Sequence, residues 1–446
     1  MSFALLRPDS LWRIRDLRIA VLARAISLLG DELALVALLL RTQGQGHGAW
    51  PVVGLLLAGG LPLVLLAPLV GRLVDRIDSR RLLVVSGCGQ LACCLALASL
   101  PSQPVILGLV AALGTGQAVN SATWQALLPS IVGLDRLPAA LGMSQATSTV
   151  AGITAPVIAG LLTGLYGARV PLLLDAASFA AVALAALAIR TRRGSSAGRA
   201  ADPRGGWAIV GGDSMLLPLV SMLSVFILLG GMVNVIEVFL VREAMQASAT
   251  WYGVLGSGWG VGVLIGALLG GRFRGQRSLL RLALASATGL ALGLAGMGLA
   301  PTAAWALPAV LAGGACNGLL NLASGSLIGM RTAEAVRGRV AAIVGGLASA
   351  AQVGSMLLGG LLATVLGPRQ IFVLAGLLGA LVPVGLGRRL LTSANRPFSP
   401  VDPIGGEVAL GGEVPLGGEV PVAAEVPVAA GIPAGSGVAV GAEVPS

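Results

Sequence analysis

Apolar residues run through this chain in long stretches, broken at short intervals by clusters of charge. A helix that crosses about 30 Å of hydrocarbon needs about 20 residues. Runs of that length lie near 19–41, 50–70, 82–100, 104–126, 138–164 and 168–190. A polar stretch at 191–214 follows, and the runs resume near 215–241, 251–271, 279–300, 303–328, 338–366 and 368–388. The pattern predicts an all-α polytopic membrane protein with twelve transmembrane helices. They fall into an N-terminal six-helix half (1–190), a cytoplasmic linker (191–214) and a C-terminal six-helix half (215–391). The remainder, 392–446, repeats Gly-Gly-Glu-Val and spaces Glu407, Glu413, Glu419 and Glu425 six residues apart. Such low-complexity sequence is expected to form a disordered cytoplasmic tail.

The charges orient this layout. With both termini inside, 24 of the 29 basic residues fall on the cytoplasmic side. Only Arg41, Arg169, Arg242 and Arg369 lie outside, and Arg24 sits within the first span. That bias is the expected mark of orientation in a multi-pass protein of the bacterial plasma membrane. The first apolar run is too long for the core of a cleaved signal peptide.

Composition agrees. The chain is 56% apolar and 11% charged, with mean hydropathy +0.90, against about 25% charged residues in soluble domains. The net charge of +10 does not imply nucleic acid, because the arginines flank apolar runs and meet anionic lipid there. Cys88, Cys93, Cys94 and Cys316 lie within apolar segments without metal-ligand spacing, and the single histidine, His47, lies in a glycine-rich loop. No lysine is present for a phosphate-binding loop. Neither enzyme chemistry, a metal nor a cofactor is expected.

The two halves echo each other. Gly71-Arg72 closes the second span as Gly271-Arg272 closes the eighth, and Asn120 in the fourth span is matched by Asn317 and Asn321 in the tenth. Internal repeats of this kind build carriers whose site lies between the halves.

Several polar residues stand inside the apolar runs. Asp31 is central in the first span, where an ionised carboxylate costs several kcal/mol unless paired, hydrated or protonated. Arg24 lies on nearly the same face, about 10 Å away by helical rise, whereas Glu32 points about 100° off it and reads as structural. Asp31 is either linked to substrate or proton, or a structural polar contact. Glu237, with Asn234 one turn before it, is the comparable group of the second half. Gln117, Asn120 and Trp124 form one polar stripe, and Asn317 with Asn321 another. A stripe facing a cavity binds substrate, and one facing a neighbouring helix holds the bundle together.

The loop Gly71-Arg72-Leu73-Val74-Asp75-Arg76-Ile77-Asp78-Ser79-Arg80-Arg81 resembles the signature between helices 2 and 3 of the major facilitator superfamily. Gly71, Asp75, Arg76, Arg80 and Arg81 fit it, while Asp78 and Ser79 depart from it. Together with Arg24-Ala25-Ile26-Ser27-Leu28-Leu29-Gly30-Asp31, it is most similar to the branch of macrolide-efflux and siderophore-export carriers. In the fifth span, Gly142, Ala151, Ala155, Pro156, Ala159 and Gly160 keep the spacing of the exporters' glycine-proline motif, with alanine at three glycine positions. The arginine that proton-coupled drug antiporters carry three residues before Gln117 is here Gly114.

The resemblance implies a secondary transporter that exports a small amphipathic or hydrophobic compound by alternating access. It implies lipid as a partner, a monomer, and Asp75 with its arginines as a cytoplasmic latch; a proton is the coupling ion expected for such a carrier, but with Gly114 in place of the antiporter arginine the coupling ion stays open. A non-transporting membrane sensor or a lipid-flipping protein on the same fold is the alternative.

Overall fold

The computed structural model describes residues 11–99, 102–133, 135–191, 206–332 and 336–393. Most of the linker and the tail beyond 393 lie outside them. The described regular structure is helical throughout. α1 (Arg15–Gly44), α2 (Trp50–Leu65), α3 (Ala67–Arg76), α4 (Ser79–Ala98), α5 (Gln103–Val132), α6 (Leu137–Tyr166) and α7 (Arg169–Ala188) form the first set. A short α8 (Gly206–Gly212) ends the linker, which is therefore not wholly irregular. α9 (Leu216–Phe239), extended by one π turn at Leu240–Ala244, opens the second set. α10 (Ala249–Gly270), α11 (Gln276–Leu299), α12 (Ala303–Met330), α13 (Arg337–Leu362) and α14 (Pro368–Ser393) complete it.

Ten of these helices are long and apolar enough to cross a membrane, and the pair α2 and α3, bent by 55°, makes an eleventh. α1 is longer than most of them but holds Arg24, Asp31 and Glu32 within its apolar stretch. The bend in the second span was not expected. It falls at Leu66, four residues after Pro62 and two before Pro68, which lacks the N–H that would continue the ladder. The residues between spans two and three are thus mostly helix, and the chain turns only at Ile77 and Asp78. Asp78 accepts the Arg81 N–H at 3.2 Å and caps α4, a local reason for its departure from the family pattern.

Helix pairing repeats between the sets. In the first, α1 packs on α6 and α7, α2 on α5, and α4 on α5 and α7. In the second, α9 packs on α13 and α14, α10 on α12, and α11 on α12 and α14. Two swapped pairings join the sets, α6 with α10 and α2 with α13.

Small residues permit these contacts, since lipid gives apolar side chains no reason to prefer one another. A Cβ at Gly262 or Gly266 would overlap the carbonyls of Leu311 or Ala315, and one at Gly314 or Gly318 those of Trp259 or Val263. α10 and α12 therefore meet backbone to backbone. The same contact, one repeat earlier, sets Gly114 against the Gly59 carbonyl. No side chain fits there, which accounts physically for the missing arginine.

The exporter-like motif of α6 sits at the joint between the sets. Ala151, Ala155 and Ala159 are buried, and α10 supplies the missing glycines. Gly253 lies against the Pro156 carbonyl, Gly256 against the Pro156 ring, Gly160 against Ala249, and the Val157 N–H donates to Ser257 Oγ at 3.0 Å. Gly142 is exposed and takes no part. On the other seam, Gly360 receives Val53 and Trp50. Both seams close near the same bundle end, where Gln43 Nε2 also donates to Glu243 Oε1 at 3.0 Å.

At the opposite end, each set is tied from its first helix to its last. Asp16 accepts the N–H groups of Arg190 and Thr191 and the Thr191 hydroxyl at 3.1, 2.9 and 2.7 Å. Asp213 caps α9 through Met215 and Leu216 and pairs with buried Arg331 at 3.5 Å, which in turn donates to the Ser393 carbonyl.

Two outcomes are expected. Gly114→Val overpacks the α2–α5 contact at a cost of about 1–3 kcal/mol, so folded yield and melting temperature fall. Gly89→Val, with nothing within 4 Å of the new Cβ, leaves both unchanged; equal melting of the two variants would refute the contact's role. Asp16 lies at the helix start, outside the span. Partial burial pushes its pKa up, but the hydrogen bonds from Thr191 and Arg190 and the charge of Arg15 outweigh this and hold it below the usual value. A depressed carboxyl stabilises the fold above its unfolded pKa and loses that contribution as pH falls through its folded value. Below about pH 4 the wild type should therefore lose melting temperature more steeply than Asp16→Asn.

Candidate functional site

The interior faces of the two sets carry equivalent cavities. In the first, α1, α5 and α6 enclose about 380 Å³ lined by Ala20, Arg24, Ser121, Trp124, Gln125 and Ser144, among others. In the second, α9, α12 and α13 enclose about 350 Å³ lined by Ser224, Asn234, Asn317, Asn321 and Gln352. The positions correspond at an offset of 200 residues: Ala20 with Val220, Arg24 with Ser224, Ser121 with Asn321. Spacing of three and four residues along each helix brings its lining side chains to one face.

The structure divides the sequence candidates. Arg24 and Trp124 share the first cavity, and Asn234, Asn317 and Asn321 share the second. The Asn321 amide donates back to Asn317, to the carbonyl at 3.0 Å and to the side-chain oxygen. Asn120 does not face a cavity. It is buried, takes the Ser86 hydroxyl at 2.7 Å and gives its amide to Gln90 Oε1 at 2.6 Å. This is a helix-to-helix tie between α4 and α5.

Gln117 turns toward Asp31 and donates to its Oδ2 at 2.5 Å. Behind Asp31 lies a group that the sequence reading passed over. Asp175 on α7 is 1% exposed and accepts from Ser178 Oγ and Cys94 Sγ, each at 3.1 Å. A Cβ at Gly30 would run into the Asp175 carboxylate and Ser178, so glycine at that position lets α7 seat its carboxylate beside Asp31. Asp175 had the same signal as Asp31, a lone acid in an apolar run: Leu172-Leu173-Leu174-Asp175-Ala176-Ala177.

Glu32 on α1 and Glu237 on α9, one from each set, are both partly buried. Among the described residues no group of three or more His, Cys, Asp or Glu side chains has the arrangement to hold a metal ion.

Asp75 is half-buried on α3, and that helix docks through Val70 and Val74 on Ala118 and Val119 of α5, in its own set. Arg76 and Arg81 are exposed and Arg80 is partly covered.

Two six-helix sets with the same internal pairing, each holding a cavity lined in part by hydroxyl and amide side chains, are the architecture of a multi-pass membrane transporter for a small-molecule substrate. The Major Facilitator Superfamily model matches residues 20–313, and the chain belongs to that family. It is 22% identical over 375 residues to macrolide efflux protein A of Streptococcus pyogenes, covering 80% of this chain and 91% of that one. The Enterococcus faecalis protein of the same name is 22% identical over 324 residues, 68% of this chain and 98% of that one. The crystal structure of the nucleoside transporter NupG superposes with TM-score 0.66 at 11% identity, over 84% of this chain and 99% of that one. A bacterial homologue of the iron transporter ferroportin, in an inward-facing state, gives 0.61 at 14% identity, over 86% and 99%.

A double-mutant cycle checks the role given to Asn120. Asn120→Ala and Gln90→Ala should couple by about 0.6–1.7 kcal/mol in melting experiments, the range for polar pairs between membrane helices. Additive effects would remove the tie.

Proposed function

We propose that this chain is a secondary exporter of a small amphipathic compound, of macrolide or siderophore-like character, driven by proton exchange in the bacterial plasma membrane. The observation that carries this reading is the pairing of a closed end with two polar cavities. The α6–α10 and α2–α13 seams pack tightly near Gly253 and Gly360, while Arg24 and Trp124 in one set, and Asn234, Asn317 and Asn321 in the other, line cavities facing the interior. A carrier in this arrangement holds its site open to one side and reaches the other by rocking the sets about those seams. The names of the efflux relatives support export over import.

Asp31 is the proposed proton-linked residue. It lies mid-span, is held by Gln117, and has Asp175 and Arg24 within electrostatic reach. Both termini and the Gly71–Arg81 loop are assigned to the cytoplasm, where Asp75 and its arginines latch that side closed in the alternate state. The protein acts as a monomer surrounded by lipid.

Asp31→Asn should abolish uphill efflux of a macrolide from everted vesicles while keeping downhill exchange, and Asp31→Glu should keep partial activity with a shifted pH optimum. Uphill pumping by Asp31→Asn with an unchanged pH profile would leave Asp31 a structural residue. For the orientation, exposed Gln45 and Ile77 are the sites to replace by cysteine. An impermeant maleimide should label the first in intact cells and spare the second; the reverse pattern inverts the topology.

A further inference from the structure

The two cavities differ in one respect that the repeat does not explain. Arg24 is the one charged side chain lining the first, whereas its counterpart in the second is Ser224 and no charged residue lines that cavity. Arg24 Nη1 is buried without a hydrogen-bond partner among the described residues. Asp31 does not supply one: no salt bridge forms between them, and the Asp31 carboxylate takes the Gln117 amide instead. A buried, unpaired guanidinium N–H costs on the order of 1–3 kcal/mol or more. That cost is recovered when a planar oxyanion docks on the guanidinium fork.

The rest of the lining suits such a guest. Ser121 and Ser148 spend their hydroxyl hydrogens on backbone carbonyls of their own helices. Gln125 and Gln145 line the same cavity, both exposed, and their side-chain amides make no hydrogen bond to the described residues. Trp124 offers a flat aromatic surface on the same wall. The volume of about 380 Å³ lies at the low end for small-ligand sites and fits a compact ring system better than a two-chain lipid.

We propose that the Arg24 cavity binds the carboxylate of a small planar aromatic acid, with the ring stacked on Trp124 and the acid held by Arg24, Gln125 and Gln145. The inference rests on the transporter reading above and selects the siderophore-like alternative within it, since a macrolide is a lactone that carries no carboxylate. The amide-lined cavity of the other half takes the neutral remainder of the molecule.

The test uses the full chain, purified in detergent and titrated calorimetrically with naphthalene-2-carboxylate and with its neutral carboxamide. The acid should bind at least about tenfold more tightly than the amide, as one charged hydrogen bond requires. R24Q should bind the two alike. R24K should fall between, because an ammonium keeps the charge but not the fork, and W124A should weaken both ligands. Equal binding of acid and amide by the wild type, or undiminished binding of the acid by a folded R24Q, overturns the proposal. If R24Q does not fold, the wild-type acid-to-amide ratio and R24K decide it. Phosphatidylglycerol in the same titration separates a lipid headgroup from a soluble acid: displacement of the acid by lipid at lower concentration would overturn the assignment. If the acid fails while everted vesicles still accumulate a macrolide, this inference falls and the exporter reading stands. If the acid binds through Arg24 while vesicles accumulate neither compound, the exporter reading falls and the site remains.

Discussion

Direct backbone contact between helices is the constraint on which the rest of this structure depends. In hydrocarbon, leucine gains nothing by leaving lipid for another leucine, so association must come from close approach and from polar ties. Glycine meets carbonyl at α2–α5 (Gly114 on Gly59), at α10–α12 (Gly266 on Ala315) and at α6–α10 (Gly253 on Pro156). The first two fix each set internally. The third joins the sets along a seam that runs from Gly160 on Ala249, through Gly253 and Gly256 on Pro156, to Gly260 on Ile153.

The polar residues divide along the same lines. Several on helix-to-helix faces are paired: Asn120 with Ser86 and Gln90, Asp175 with Cys94 and Ser178, Asp16 with Thr191, Arg331 with Asp213 and Ser393. Toward the interior, Asp31 takes the Gln117 amide while Arg24 keeps an unpaired Nη1.

The motif-level departures also have local physical causes. Asp78 stands where the family pattern has another residue because it caps α4. Alanine replaces glycine in α6 because the facing glycines lie on α10. Gly114 replaces an arginine because the Gly59 carbonyl occupies the space beside it. The last two are changes on one helix answered by its neighbour, a relation invisible along a single segment, whereas the cap at Asp78 is local to its own helix.

What the sequence determined by itself is whatever depends on one helix at a time. Apolar run length placed the spans, arginine bias predicted their orientation, and the helical period put Arg24 with Asp31 and Asn317 with Asn321 on common faces. Lone charges in apolar runs flagged Asp31 and Glu237, and the same rule would have flagged Asp175. Only the tertiary structure decided which helix each face meets. That is why Asn120 proved to be a tie although it shares a stripe with Trp124, and why Gln117 left that stripe for Asp31. The break at Leu66, the seating of Asp175 against Gly30 and the gathering of Arg24, Trp124, Gln125 and Gln145 around one cavity belong to the same class. Helical periodicity fixes the direction of a side chain, but the partner waiting there is set by packing between segments as far apart in the chain as Val53 and Gly360.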